Sequence, residues 1–328
     1  MTHPTMPPRR TSMGLSADSF QSIRFSSPQR LFAADALMEL AASLGMAGAH
    51  GGMPEMTFEW ARRARETKER LGVYLEIQTF LPRPGEDISV FEHAVMVAKN
   101  AGASSLRAVC LLGRRYEMFE SRDGWQEAVR GFHRQIALAV PIVEKHRMRL
   151  GIENHKDWRV DQQVALLQQY SSEYVGVTLD TGNNLSILDD PEETVEKLGP
   201  WTFNTHFKDM AVEETQDGFL MSEVPLGEGM FDLPRMVDAI RAAKPDMTFS
   251  LEMITRDPLP VPCLTEKYWS TFTEVPGVDL ARFLTRMRAN KPSKPLPRIV
   301  GLTEEERYAL EVELVTRSIA YANAYLGL

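Results

Sequence analysis

Cysteine is scarce: the 328-residue chain has 2. Cys110 and Cys263 cannot make a disulfide framework, which excludes a small stapled secreted fold and makes the cytoplasm the expected location. Cys110 has no visible base partner, so nucleophilic thiol chemistry is not expected. No apolar run reaches the roughly 18 residues needed to cross a bilayer, which excludes a helical membrane span. Positive charge is also lacking. A formal charge of -8 argues against a nucleic-acid partner, although it leaves room for an acidic small molecule held by a local Arg or Lys. No segment repeats with a fixed period, so a solenoid is not expected. The start, MTHPTMPPRR, has basic residues with no apolar core behind them. It is not a secretory signal, and residues 1–10 read as a flexible tail.

What is present is the composition of an ordinary soluble protein, 43% apolar and 25% charged. The length fits one large α/β barrel or two ordinary domains. Strand-like runs fall at Thr11–Ser16, Leu44–His50, Val73–Thr79, Ser105–Leu111, Arg149–Glu153, Tyr174–Asp180, Thr202–Lys208 and Thr248–Met253. Helical patterns lie between them at Gln29–Ser43, Met56–Leu71, Ile88–Ala101, Gly124–His146, Val160–Tyr170, Pro191–Leu198 and Pro234–Ala243. Alternation on this scale predicts a (β/α)8 TIM barrel over residues 11–256. Residues 257–328 form a C-terminal helical extension. Within it NKPSKPLP reads as a proline-stiffened strap, and Thr303–Leu326 as a terminal helix opened by the capping pair Thr303 and Glu306. The polar segment Val212–Val224 reads as a loop inserted at the barrel mouth. The extension is expected to cover the chain's own pocket or that of a partner, and a homo-oligomer stays open.

Four residues close the last four strand-like runs: Glu153 in RLGIE, Asp180 in YVGVTLD, His206 in TFNTH and Glu252 in TFSLE. Side chains alternate faces along a strand. Glu153 shares a phase with Gly151 and His155, and Asp180 with Gly176 and Thr178. His206 shares one with Asn204 and Lys208, and Glu252 with Ser250. The apolar phase, including Phe203 and Phe207, is expected to face the helices. The small, polar phase then faces the barrel axis, with the four anchors at the C-terminal mouth, where barrel enzymes place their sites. A strand-end acid can cap the next helix, and one histidine can be a core residue. Four such residues, one per strand and in one phase, point instead to a shared ligand. Three carboxylates and one imidazole suit Mn²⁺ first, with Mg²⁺ or Co²⁺ as alternatives.

Further candidates surround this set. His155 and Lys208 share the inward phase and are read as proton donors or substrate contacts, with a supporting role and an ion pair as the plain alternatives. His50 in AGAHGG, Asn183, Arg107 and Arg256 are candidate substrate contacts, the two arginines because a guanidinium grips a carboxylate bidentately. Glu76 and Gln78 share a phase with Tyr74 and are expected to line the barrel. Trp158 and Trp201 are read as core residues.

In this order GIENH, TLDTGNN, THFKD, PLGEGMFD and SLE resemble the xylose-isomerase-like barrel superfamily of sugar-phosphate isomerases and epimerases, over roughly residues 11–255. The resemblance implies that Glu153, Asp180, His206 and Glu252 hold the metal and that the two glutamates form an acid/base pair. It also implies that Glu228, in the GEG block, shapes the pocket floor. The chain departs from the ketose 3-epimerase pattern in having Asn183 and Val212 where that group has a His and an Arg. The expected function is a divalent-metal-dependent isomerase or epimerase acting on a keto-sugar or sugar acid through a metal-stabilised enediolate. The alternative is a lyase, a decarboxylase or dehydratase of an oxo sugar acid, at the same site. With 7 histidines and an acidic balance, a related multi-metal endonuclease is disfavoured, and a metal-ligand set disfavours a non-catalytic binding barrel.

Overall fold

The computed structural model describes residues 11–22, 33–272 and 275–328. The expected tail at 1–10 and the first part of the expected helix Gln29–Ser43 lie outside them; the described part of that helix is Ala34–Ser43. Eight parallel strands close a barrel: β1 (Gly14–Ser16), β2 (Gly48–Gly51), β3 (Tyr74–Gln78), β4 (Leu106–Ala108), β5 (Leu150–Glu153), β6 (Val175–Asp180), β7 (Thr202–Phe207) and a short last strand at Ser250–Leu251. The intervening helices include Phe58–Leu71, Ile88–Asn100, Arg122–His146, Val160–Tyr170, Pro191–Leu198 and Leu233–Ala243. Side-chain caps start several of them. Thr57 accepts from the Trp60 N–H, Asp87 from Ser89 and Asp190 from Glu193.

The segment Val212–Val224, read from sequence as a loop, is instead most of a hairpin. β8 (Asp209–Thr215) pairs antiparallel with β9 (Gly218–Val224). With Ser250–Leu251 as β10, the segment Leu259–Val261 is β11 and adds to the far edge of β9. The polar residues that suggested a loop divide: Glu213 and Glu214, toward the hairpin tip, are exposed, whereas Ser222 and Glu223 of β9 are buried. The strap lies against the sheet, with Leu296 packed on Ala211 and Val224. The terminal helix runs Glu304–Tyr321 and carries the expected Thr303–Glu306 capping box. Helix Gly277–Ala289 precedes the strap and was not anticipated.

The strand phases hold at most positions. Phe207 packs edge-on against Phe249 on the outer face. Phe203 does not share its environment. At a register shift between Val177 and Thr178, the Phe203 ring comes within 2.7 Å of where a Cβ on Gly176 would sit. A bulge offsets the two-residue phase and re-aims a side chain. Inside the barrel the Tyr74 hydroxyl donates to the Phe249 carbonyl at 3.0 Å and meets Ser250 Oγ at 3.0 Å. Above it Glu76 accepts from Thr248 Oγ1 at 2.7 Å and Ser250 Oγ at 2.9 Å. The Tyr74 ring fits because β2 has no side chain there: a Cβ on Gly48 would lie 2.3 Å from ring carbon Cγ. Gly48→Ala therefore overpacks the barrel floor and is expected to cost about 1–3 kcal/mol, read as a lower urea midpoint with unchanged m-value. Gly48→Ala with Tyr74→Leu is expected to recover part of the loss. An unchanged midpoint in the single variant would remove the ring from this account.

Candidate metal centre

The ends of β5, β6 and β7 and the residue after β10 bring the four anchors to one place. Register sets this, because Asp180 pairs with His206, and His206 pairs with Ser250, two residues before Glu252. All four are buried. One ligand atom each from Glu153, Asp180 and His206 lies within 4.8 Å of the others. Ligands about 2.1 Å from one small hard cation stand roughly 3–4 Å apart, so this triad needs only a small contraction to share one. Glu252 Oε1 joins through His206, 3.0 Å from its Nδ1, and Glu153 Oε1 lies 3.7 Å from the same atom.

Each acid has a fixed partner. Asp180 Oδ1 accepts the backbone N–H groups of Gly182 and Asn183, both at 2.8 Å, which the tight TGN turn presents. Its other oxygen is 2.8 Å from Lys208 Nζ. Lys208 also donates to Glu252. Arg107 donates to Glu153, and Asn183 Nδ2 reaches Glu153 Oε1 at 3.0 Å. Burial opposes charge on Glu153, yet Arg107 and His206 hold it well below the usual carboxylate range. Burial likewise opposes charge on Glu252, and His206 and Lys208 overcome it. Burial also works against the His206 imidazolium, but Glu252 and Glu153 outweigh it and raise the group to about 10. For Asp180 burial wins over Lys208 and lifts the carboxyl to about 6.

The donor set fits a divalent cation. Neither ring nitrogen of His206 makes an aligned hydrogen bond among the described residues, although the ring is fully buried. Such orphaned polar atoms are rare without a purpose. Hard carboxylate oxygens with one imidazole match Mn²⁺ or Mg²⁺.

The other sequence candidates divide. Arg107, Asn183 and Lys208 touch the ligand set directly. His155 Nδ1 lies 2.8 Å from the Leu111 carbonyl oxygen; burial and nearby Lys156 push its imidazole down to about 3, so it is neutral. Arg256 reaches Glu223 of β9 at 2.7 Å, which in turn is 3.9 Å from Lys208. His50 is fully buried, its ring centroid 4.5 Å from that of His206, with Glu76 at 3.4 Å beneath it. Glu228 is not brought to the cluster. It pairs with Arg317 of the terminal helix and with Lys294 of the strap, just after Gly227, whose φ is 83°. Two residues escaped the sequence reading. Glu223 sits in the segment taken for a loop. Lys156 follows the ENH block directly, and only its backbone conformation, φ 63°, sets it apart. A left-handed non-glycine residue costs about 1–3 kcal/mol and tends to mark a functional site.

A family model described as xylose isomerase-like TIM barrel matches residues 38–270. The 3-oxo-isoapionate decarboxylase of Pectobacterium atrosepticum is 30% identical over 104 residues, 31% of this chain and 38% of that protein. The matched stretch thus spans well under half of that relative. Among solved structures, D-psicose 3-epimerase determined in the presence of D-fructose superposes with a TM-score of 0.60 at 13% identity, covering 97% of this chain and 100% of that one. The probable 3-DHS dehydratase of Bacillus anthracis gives 0.57 at 16%, over 75% and 94%. A xylose isomerase-like TIM barrel protein of Mycobacterium smegmatis in complex with magnesium gives 0.55 at 14%, over 86% and 100%. At these identities the three structures speak to the fold alone.

Chelator-treated protein is expected to bind one equivalent of Mn²⁺ in a calorimetric titration. Asp180→Asn should abolish the heat, and Asn183→Ala should weaken binding by about 10–100-fold, the usual effect of removing a group that orients a ligand. Isotherms indistinguishable from wild type would dismiss these residues as a metal set.

Proposed function

Since the chain belongs to the xylose isomerase-like TIM barrel family, we propose that it is a divalent-metal-dependent enzyme acting on a keto-sugar or sugar acid, and that its reaction is loss of CO₂ from an oxo sugar acid. Glu153, Asp180, His206 and Glu252 would hold the ion. The observation that carries the choice of reaction is that both glutamates are pinned by cations, Glu153 by Arg107 and Glu252 by Lys208.

An acid/base pair for epimerisation must take a proton on one face of a carbon and return one on the other. Each group works best with a proton affinity near the operating pH. A carboxylate engaged by a buried guanidinium or ammonium holds a proton poorly. Decarboxylation asks for no such base. In a 3-oxo acid the bond from C2 to the carboxylate breaks and its electron pair passes into the C3 carbonyl. CO₂ leaves and C2 gains one proton. A bound divalent cation would supply Lewis-acid polarisation of that carbonyl. The chain's own residues do the rest. Arg107 and Asn183 fix Glu153, and the TGN turn fixes Asp180. Lys208 fixes Asp180 and Glu252, and because those ion pairs raise its own proton affinity, the proton that C2 gains would come from water.

Isomerisation or epimerisation is the second reading, favoured by the placement of both glutamates beside one imidazole nitrogen. A screen of keto-sugars and oxo sugar acids with Mn²⁺, read by mass spectrometry in D₂O, separates the two. Loss of one CO₂ with one deuterium in the product is expected. An unchanged carbon skeleton with a new retention time would hand the site to the isomerase reading.

A further inference from the structure

Lys156 stands out among the cations at the barrel mouth. It is 5% exposed. Among the described residues its ammonium has one hydrogen bond, to Asn183 Oδ1, and no carboxylate lies within ion-pair distance of its Nζ. Arg107, Lys208 and Arg256 all have such a partner. A buried ammonium without a counter-ion is costly, and so is left-handed backbone at a lysine. The chain holds Lys156 against both. Asn183 ties it to the metal set, because the side chain that accepts from Lys156 also donates to Glu153. The ammonium therefore stands one residue away from the ligands, with two N–H donors free.

We propose that Lys156 is the counter-ion of the substrate's carboxylate, and that it makes the site selective for sugar acids over neutral sugars of the same length. The inference rests on the sugar-acid reading above, but it concerns recognition, not the bond that breaks. The carboxylate accepts the two unused N–H donors of Lys156, and Asn183 fixes the ammonium relative to the ligand set. Glu223 lies in the same cluster and occupies Arg256 and Lys208 with its own carboxylate. Lys156 is thus left as the cation with its charge unspent.

Equilibrium binding to the Mn²⁺-loaded protein tests this with two probes of equal chain length, D-gluconate and the neutral D-sorbitol. Wild type is expected to bind gluconate more tightly. Lys156→Gly relieves the backbone strain, so the variant is expected to fold. It should lose about tenfold or more in gluconate affinity with sorbitol affinity and Mn²⁺ stoichiometry unchanged. Added methylammonium should restore part of the gluconate binding. Equal losses for both probes, or no preference in wild type, would overturn the proposal. So would a borohydride-stable adduct of an oxo acid on Lys156, which would make the amine a nucleophile instead. If gluconate selectivity depends on Lys156 but no oxo acid loses CO₂, the recognition proposal stands and the decarboxylase reading falls.

Discussion

The pairing of buried charges around Lys208 is the constraint on which the rest depends. Its ammonium lies between Asp180 and Glu252, with Glu223 just beyond, in surroundings closed to water. Removing one partner of a buried pair leaves an uncompensated charge and costs about 3–5 kcal/mol, whereas the intact pair adds little net stability. Such a cluster persists for what it does. Here it holds three carboxylates close together, which mutual repulsion would otherwise spread or protonate. The geometry that a cation needs is built before any cation arrives.

The periphery serves that core. Asp209, next to Lys208, is buried, and its carboxylate accepts the backbone N–H groups of Met210, Gly227, Gly229 and Phe231 at 2.9, 3.0, 2.9 and 3.3 Å. It gathers the start of the hairpin and the loop that follows it onto one point. That loop carries Gly227, where a Cβ would lie 2.1 Å from the Tyr321 ring. The terminal helix thus packs where no side chain intervenes, and Glu228 secures it through Arg317. The GEG block, which by resemblance should floor the pocket, here fastens the C-terminal extension to its own barrel. Ser22 adds a second tie, donating its backbone N–H to Glu311 of the same helix at 2.9 Å.

The convergence of the four anchors was legible in the sequence because barrel geometry is periodic. One anchor per strand, in the inward phase, survives errors of two or three residues at element ends. Seven of the helices were legible for the same reason, from apolar stripes and caps. What was hidden depends on tertiary context. β8 and β9 are buried except near the hairpin tip, yet polar residues such as Glu223 sit in that buried part, so their sequence carries too little apolar alternation to stand apart from a loop. Phe203 followed the expected phase on paper, and a bulge moved it. Lys156 lies directly after the block quoted as characteristic, yet its left-handed backbone and missing counter-ion are properties of the fold, not of residue type. Glu228 shows the converse error, since a motif position can keep its residue and serve a different contact.

A charge count sharpens the functional argument. Arg107, Lys208 and Arg256 pair with Glu153, Asp180, Glu223 and Glu252, and Lys156 joins them through Asn183, four cations against four acids. A divalent ion adds two positive charges, and a coordinating imidazole must give up its own extra proton. The loaded site then carries a surplus of two, buried where solvent screens little. A neutral sugar leaves that surplus unanswered. A monocarboxylate brings one negative charge, and as neutral CO₂ departs that charge moves onto the carbonyl oxygen, where a bound cation would stabilise it in the transition state and so raise rate and not merely affinity. A neutral ketose reaches the same enolate charge only after a base has taken its proton, and both glutamates are held by cations. On the proposed reading, charge, more than the barrel or its ligands, is what separates an oxo-acid lyase from an epimerase on this scaffold.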